Sequence, residues 1–133
     1  MVVEQIMMKQ TKRDPKDFLP LTPADFNILL ALAEGEKHGY GIMQEITNHT
    51  SGKLRLGPGT LYGAIKRLLE EDLIEESGKR PDPAHDDERR RYYRLTEFGQ
   101  RVAAAEAARL EELVQLARDR RLLPKRLPVR GTK

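Results

Sequence analysis

Between Thr22 and Asp72, glycine and proline cut the chain into three amphipathic stretches of helical period, and this spacing constrains the fold more than any other feature. Leu21-Thr22-Pro23-Ala24-Asp25 opens the first stretch. Thr22 suits an N-cap, Pro23 the first helical position, and Asp25 the positive end of the helix dipole. Phe26, Leu29, Leu30 and Ala33 share one face and Gly35 is a stop signal, which predicts a helix over 23–34. Beyond Gly35-Glu36-Lys37, the run His38 to Thr50 carries Tyr40, Met43, Ile46 and Thr47 at steps of three and four. This predicts a second helix, ended by Ser51-Gly52, with Tyr40 in the core. Lys53-Leu54-Arg55-Leu56 alternates briefly before Gly57-Pro58 starts a third helix. There Leu61, Ile65, Leu68 and Leu69 form the stripe to be buried, with Tyr62, Lys66, Arg67 and Glu70 on the opposite side.

The period then changes. Leu73-Ile74-Glu75-Glu76 begins a strand running toward Ser77-Gly78-Lys79-Arg80, and Pro81 to Glu88 reads as a loop. Arg89 to Leu95 is a second strand, with Arg91, Tyr93 and Leu95 on one face, so the pair makes an antiparallel hairpin. Thr96 caps a fourth helix over roughly 97–121. Ala103, Ala107, Leu110, Val114 and Ala117 step 4-3-4-3 along it, and Leu113 and Leu116 widen the stripe. A helix of about 25 residues runs about 37 Å at 1.5 Å per residue, more than so small a domain needs. The seam reads as a homodimer interface built on Ala103, Ala107, Leu110, Leu113, Val114 and Ala117, against the alternative of packing on its own domain. The expected organisation is therefore an N-terminal arm or short helix over 1–20 and a compact unit over 21–95. The dimerisation helix follows over 96–121, then a basic tail over 122–133.

Composition narrows the function classes. The 133 residues allow one domain, and 24 Lys+Arg against 21 Asp+Glu leave a net +3, so placement of charge matters more than its total. With no cysteine, disulfides, thiol catalysis and cysteine zinc sites are excluded. No run approaches the roughly 18 apolar residues of a membrane span. MVVEQIMMKQ, interrupted by Glu4, lacks the marks of a secretory signal, so the expectation is a cytoplasmic protein with no membrane partner.

Helix, helix, helix and hairpin, in that order, outline a winged helix-turn-helix: mainly α with a small β-hairpin, plus a long C-terminal helix. In that design the third helix enters the major groove of double-stranded DNA and the hairpin reaches phosphate or the minor groove. Residues 57–69 contain no acid, which leaves the start of the third helix open to phosphate. The expected contacts are Thr60, Tyr62, Lys66 and Arg67 on the helix, with Lys79, Arg80, Arg89, Arg90 and Arg91 on the wing. Asp82, Asp86, Asp87 and Glu88 would repel DNA at the wing tip, so contacts are placed at its stems. The alternatives are a half-buried aromatic at Tyr62 and a solvated charged face at Lys66-Arg67.

Other chemistry finds no support. His85 beside Asp86, Asp87 and Glu88 sits in a proline-rich loop without the fixed ligands of a metal site. Glu70, Glu71 and Asp72 are consecutive on a helix and point apart. GPGTLYG lacks the lysine of a phosphate-binding Walker loop. No enzyme, cofactor or metal is expected.

Three motifs, LTPADFNILLALAEGEKHGYGIMQEI, GTLYGAIKRLLEEDLI and RRRYYRLTEFG, resemble the PadR family of bacterial transcriptional regulators, in register over about residues 21–116. The resemblance implies a winged-helix DNA-binding domain, a dimerising C-terminal helix and repression of nearby genes. In many members a small aromatic or hydrophobic effector relieves that repression. It also implies that Gly59-Thr60-Leu61-Tyr62 opens the recognition helix and that Tyr92-Tyr93 lies on the second wing strand. Gly63 stands where many relatives have proline, so a looser recognition helix is expected. Asp72 stands where they usually have glycine and should keep the turn, since Asp tolerates the left-handed conformation. The rival reading is a winged-helix protein-interaction module that binds no DNA.

Overall fold

The computed structural model describes residues 13–78 and 91–125. Helix α1 spans Pro23–Glu34, and the Thr22 hydroxyl oxygen accepts the Asp25 N–H at 3.0 Å, as its capping residues predict. Its buried face is Asp25, Ile28, Leu29, Ala31 and Leu32, while Leu30 and Ala33 are exposed. The expected face of Phe26, Leu29, Leu30 and Ala33 is therefore corrected by a rotation. Nearly every residue from Phe26 to Ala33 is apolar, so hydrophobicity alone could not orient the helix. Contact with the other helices and the sheet orients it instead.

Strand β1, Lys37–His38, was not expected; at two residues it is too short to show a period. It pairs antiparallel with β3 (Tyr92–Leu95), Lys37 opposite Tyr93 and His38 opposite Tyr92. Strand β2 (Ile74–Glu76) lies on the other side of β3, with Ile74 opposite Leu95 and Glu76 opposite Tyr93. The hairpin is thus part of a three-stranded sheet of order β1-β3-β2.

Helix α2, Gly39–His49, is capped by His38, whose Nδ1 accepts the Gly41 N–H at 2.9 Å. It buries Gly39, Ile42 and Ile46. Tyr40 is 58% exposed, so its expected place in the core is corrected. The inward residue is Gly39, which a count of apolar side chains cannot see. Helix α3, Pro58–Glu70, starts at Gly57 and buries Leu61, Ala64, Ile65 and Leu68, with Leu69 half-buried. Gly63 is exposed with nothing within 4 Å of a built Cβ, and the helix runs through it unbroken. Its cost is the propensity difference from alanine, about 1 kcal/mol.

Helix α4 spans Glu97–Asp119. The Thr96 hydroxyl accepts the Gly99 N–H at 2.9 Å and donates to the Asp72 carbonyl at 2.6 Å, which joins the start of α4 to the end of α3. Gly99, Val102 and Glu106 face inward. The described part of the N-terminal segment is one 3-10 turn, Pro15–Phe18, docked on α4. Phe18 meets Phe98 edge-on at 5.4 Å between ring centroids. Arg13 stacks over Phe98 at 4.3 Å and donates to the Glu71 carbonyl at the end of α3.

Candidate nucleic-acid interface

Helix α3 is held by its buried stripe, so the residues between the stripes face out. Gly59, Thr60, Gly63, Lys66, Arg67 and Glu70 are exposed, and no acid precedes Glu70 on this face. Lys66 has no ion-pair partner among the described residues. Tyr62 is half-buried and packs against the core, and a side chain built at Gly39 would run into its hydroxyl. Gly39 thereby lets α3 seat its tyrosine on the first turn of α2, the role glycine plays where two elements approach closely.

Arg67 leans back toward the domain. Its guanidinium donates to Asp25 on α1 at 2.6 Å, and Asp25 is only 7% exposed. The sequence reading missed this pair because the partners lie 42 positions apart and neither sits in a local motif. Arg67 thus ties α3 to α1 with a charge-assisted bond while half of its side chain stays exposed.

The two described arginines of the wing stem carry compensated charge. Arg91 pairs with Glu76 at 3.4 Å, and Arg94 bonds Glu75 at 2.9 Å and Glu36 at 3.5 Å. The hydrogen bond that Arg94 donates to the Glu75 carboxylate raises the Arg94 pKa above its usual value. Lys79, Arg80, Arg89 and Arg90 lie outside the described residues, as do His85 and the acidic loop around it. Among the described residues no group of three His, Cys, Asp or Glu is placed to hold a metal.

Along α4, Ala103 packs on the core of its own chain and Ala107 is exposed. Leu110 and Ala117 are half-buried, while Leu113, Val114 and Leu116 are exposed toward the far end. Glu106 is 2% exposed. Its carboxylate accepts two bonds from Arg109, at 2.7 and 2.9 Å, and the Leu21 N–H at 3.3 Å. The Arg109 bond holds its pKa below the ordinary 4.5 against the opposing effect of burial.

Three packed helices, a small antiparallel sheet beside them and a donor-bearing third helix define a winged helix-turn-helix. The chain belongs to the PadR-like family of transcriptional regulators, whose family profile matches residues 28–105. It is 33% identical over 89 residues to the transcriptional regulator Rv3488 of Mycobacterium tuberculosis, covering 67% of this chain and 77% of that one. It is also 32% identical over 95 residues to an uncharacterized protein X of Lysinibacillus sphaericus, covering 69% and 84% of the two chains. A solved transcriptional regulator from Clostridium thermocellum is similar in fold, with a TM-score of 0.60 and 27% identity over 72% of this chain and 87% of that chain. PadR-family proteins are transcriptional regulators rather than enzymes. Among the described residues, no helix is long and apolar enough to cross a membrane.

Proposed function

We propose that this chain is a sequence-specific, cytoplasmic DNA-binding repressor. It acts as a homodimer on a pseudo-palindromic operator and is released by a small hydrophobic or aromatic effector. The observation that carries the reading is the outer face of α3, free of acid until Glu70 at its far end, with Lys66 uncompensated and the opposite face locked into the core. The winged unit runs over 21–95. Thr60, Tyr62 and Lys66 approach bases or backbone, Arg67 adds charge from its tether on Asp25, and Lys79, Arg80, Arg89, Arg90 and Arg91 follow the backbone from the wing. The segment 96–121, with α4 at its centre, pairs two copies through Ala103, Ala107, Leu110, Leu113, Val114 and Ala117. Exposed Leu113, Val114 and Leu116 support that pairing, since each is an apolar side chain that a second copy would cover. Repression and release by an effector follow the habit of the family.

Fluorescence anisotropy tests DNA binding directly, with the duplex upstream of the chain's own gene set against a scrambled duplex across a salt series. A preference of about 1,000-fold or more, falling steeply with salt, is the expected result. Lys66→Ala should weaken binding by about tenfold, equivalent to about 1.4 kcal/mol. Lys66 is the better probe than Arg67, because removing Arg67 also strands the buried Asp25 carboxylate. Absence of binding to either duplex at low salt would favour the protein-interaction module, a reading to which the ion-paired Arg91 and Arg94 lend some weight.

A further inference from the structure

Exposed Tyr40 stands at the edge of an open groove of about 380 Å³ between α2 and the segment leading into α3. Met43 and Leu56 supply apolar surface, and Tyr40, Gln44, Asn48 and Arg55 supply hydrogen-bonding groups. No acidic side chain lines the groove, and the chain holds no Asp or Glu from Ile46 through Leu69. The one α2 acid nearby in sequence, Glu45, faces His49 at 3.5 Å. Arg55 has no ion-pair partner among the described residues, whereas Arg67, Arg91 and Arg94 are all paired. The groove also adjoins the reading helix at two points. Leu56 precedes Gly57, the N-cap of α3, and Tyr40 follows Gly39, on which Tyr62 of α3 packs.

We propose that this groove seats the sugar–phosphate backbone of duplex DNA, with Arg55 neutralising a phosphate and Tyr40, Gln44 and Asn48 donating to backbone oxygens. The assignment rests on the DNA-binding reading above and adds residues to it. Amide, hydroxyl and guanidinium donors with no competing carboxylate are the chemistry of a backbone contact, which positions a protein without reading sequence. With Arg67, Arg91 and Arg94 paired, Arg55 and Lys66 are unpaired cations among the described residues, one just before the start of α3 and one on its outer face.

The test is anisotropy on a mixed-sequence duplex of about 30 base pairs and on the upstream duplex, from about 50 to 200 mM salt, a range over which counterion release dominates. Arg55→Gln should flatten the plot of log affinity against log salt by about 0.9, the slope of one released counterion, and weaken binding roughly five- to tenfold at 0.1 M. Both duplexes should lose the same factor, because a phosphate contact is blind to sequence. Tyr40→Phe should weaken both by a smaller common factor. Lys16→Gln, the same charge change on the N-terminal turn, should leave affinity unchanged. If Arg55→Gln keeps the wild-type slope and affinity while Lys66→Ala weakens binding, the groove is not a backbone seat and the DNA reading stands. If the wild-type chain binds neither duplex at about 50 mM salt, where even non-specific binding is expected, the DNA reading falls and the groove assignment falls with it.

Discussion

Gly99→Ala is expected to destabilise the fold by about 3 kcal/mol, at the upper end of overpacking penalties. A Cβ built at Gly99 lies 2.7 Å from the Leu73 carbonyl carbon and closer still to its oxygen. The obstacle is backbone, so no rotamer change relieves it. The first turn of α4 would have to lift from the start of β2, and the bonds from Thr96 to Asp72 and to Leu73 would open with it. A domain of this size has about 5–15 kcal/mol in all, so the loss should show as a large fall in the urea midpoint. Gly63→Ala is the internal comparison, since that Cβ meets open space and should stabilise the helix slightly. An unchanged midpoint for Gly99→Ala would mean that α4 does not rest on Leu73.

Glu106→Gln is expected to cost about 2 kcal/mol at neutral pH, the worth of charge-assisted bonds made by one buried carboxylate. The substitution keeps an acceptor for Leu21 but gives up the ionic bonds from Arg109. Because folding lowers the Glu106 pKa below 4.5, its contribution is complete above that value and is lost as pH falls through the folded-state pKa. Wild-type stability should therefore decline in acid more steeply than that of the glutamine variant, and the two curves should converge at the lowest pH. Thermal melts from neutral pH down to about 3, spanning the ordinary carboxylate range, check the sign. Parallel curves would remove Glu106 from the acid transition. The consequence is local as well as global, because Glu106 is where α4 holds the chain just after the Pro15–Phe18 turn.

These two residues also mark what a sequence can and cannot reveal here. Local signals were legible: Thr22, Gly57-Pro58 and Thr96 start their helices where capping chemistry places them, and the buried stripe of α3 follows from its spacing. Helix α1 was legible in extent but not in orientation, because an almost wholly apolar segment has no polar side to mark the solvent. Tyr40 misled because the inward position on α2 belongs to glycine. Strand β1 is two residues long and exists only through its partner β3. At the candidate interface, the outer face of α3 could be read from one helix. Its bond to Asp25, like the ion pairs of Arg91 and Arg94, joins elements from different parts of the chain and carries no local signature.

The central claim is that two copies read DNA together through paired α4 helices, and light scattering of the complex with upstream DNA tests it most directly. The protein component should weigh twice the 15.2 kDa of one chain. The double variant Leu113→Glu, Val114→Glu places charges on exposed seam positions, so it should stay folded and run as a single chain. It should lose at least about 100-fold in operator affinity, the scale on which a second linked site contributes. A wild-type protein that binds the operator with full preference while weighing one chain would contradict the account.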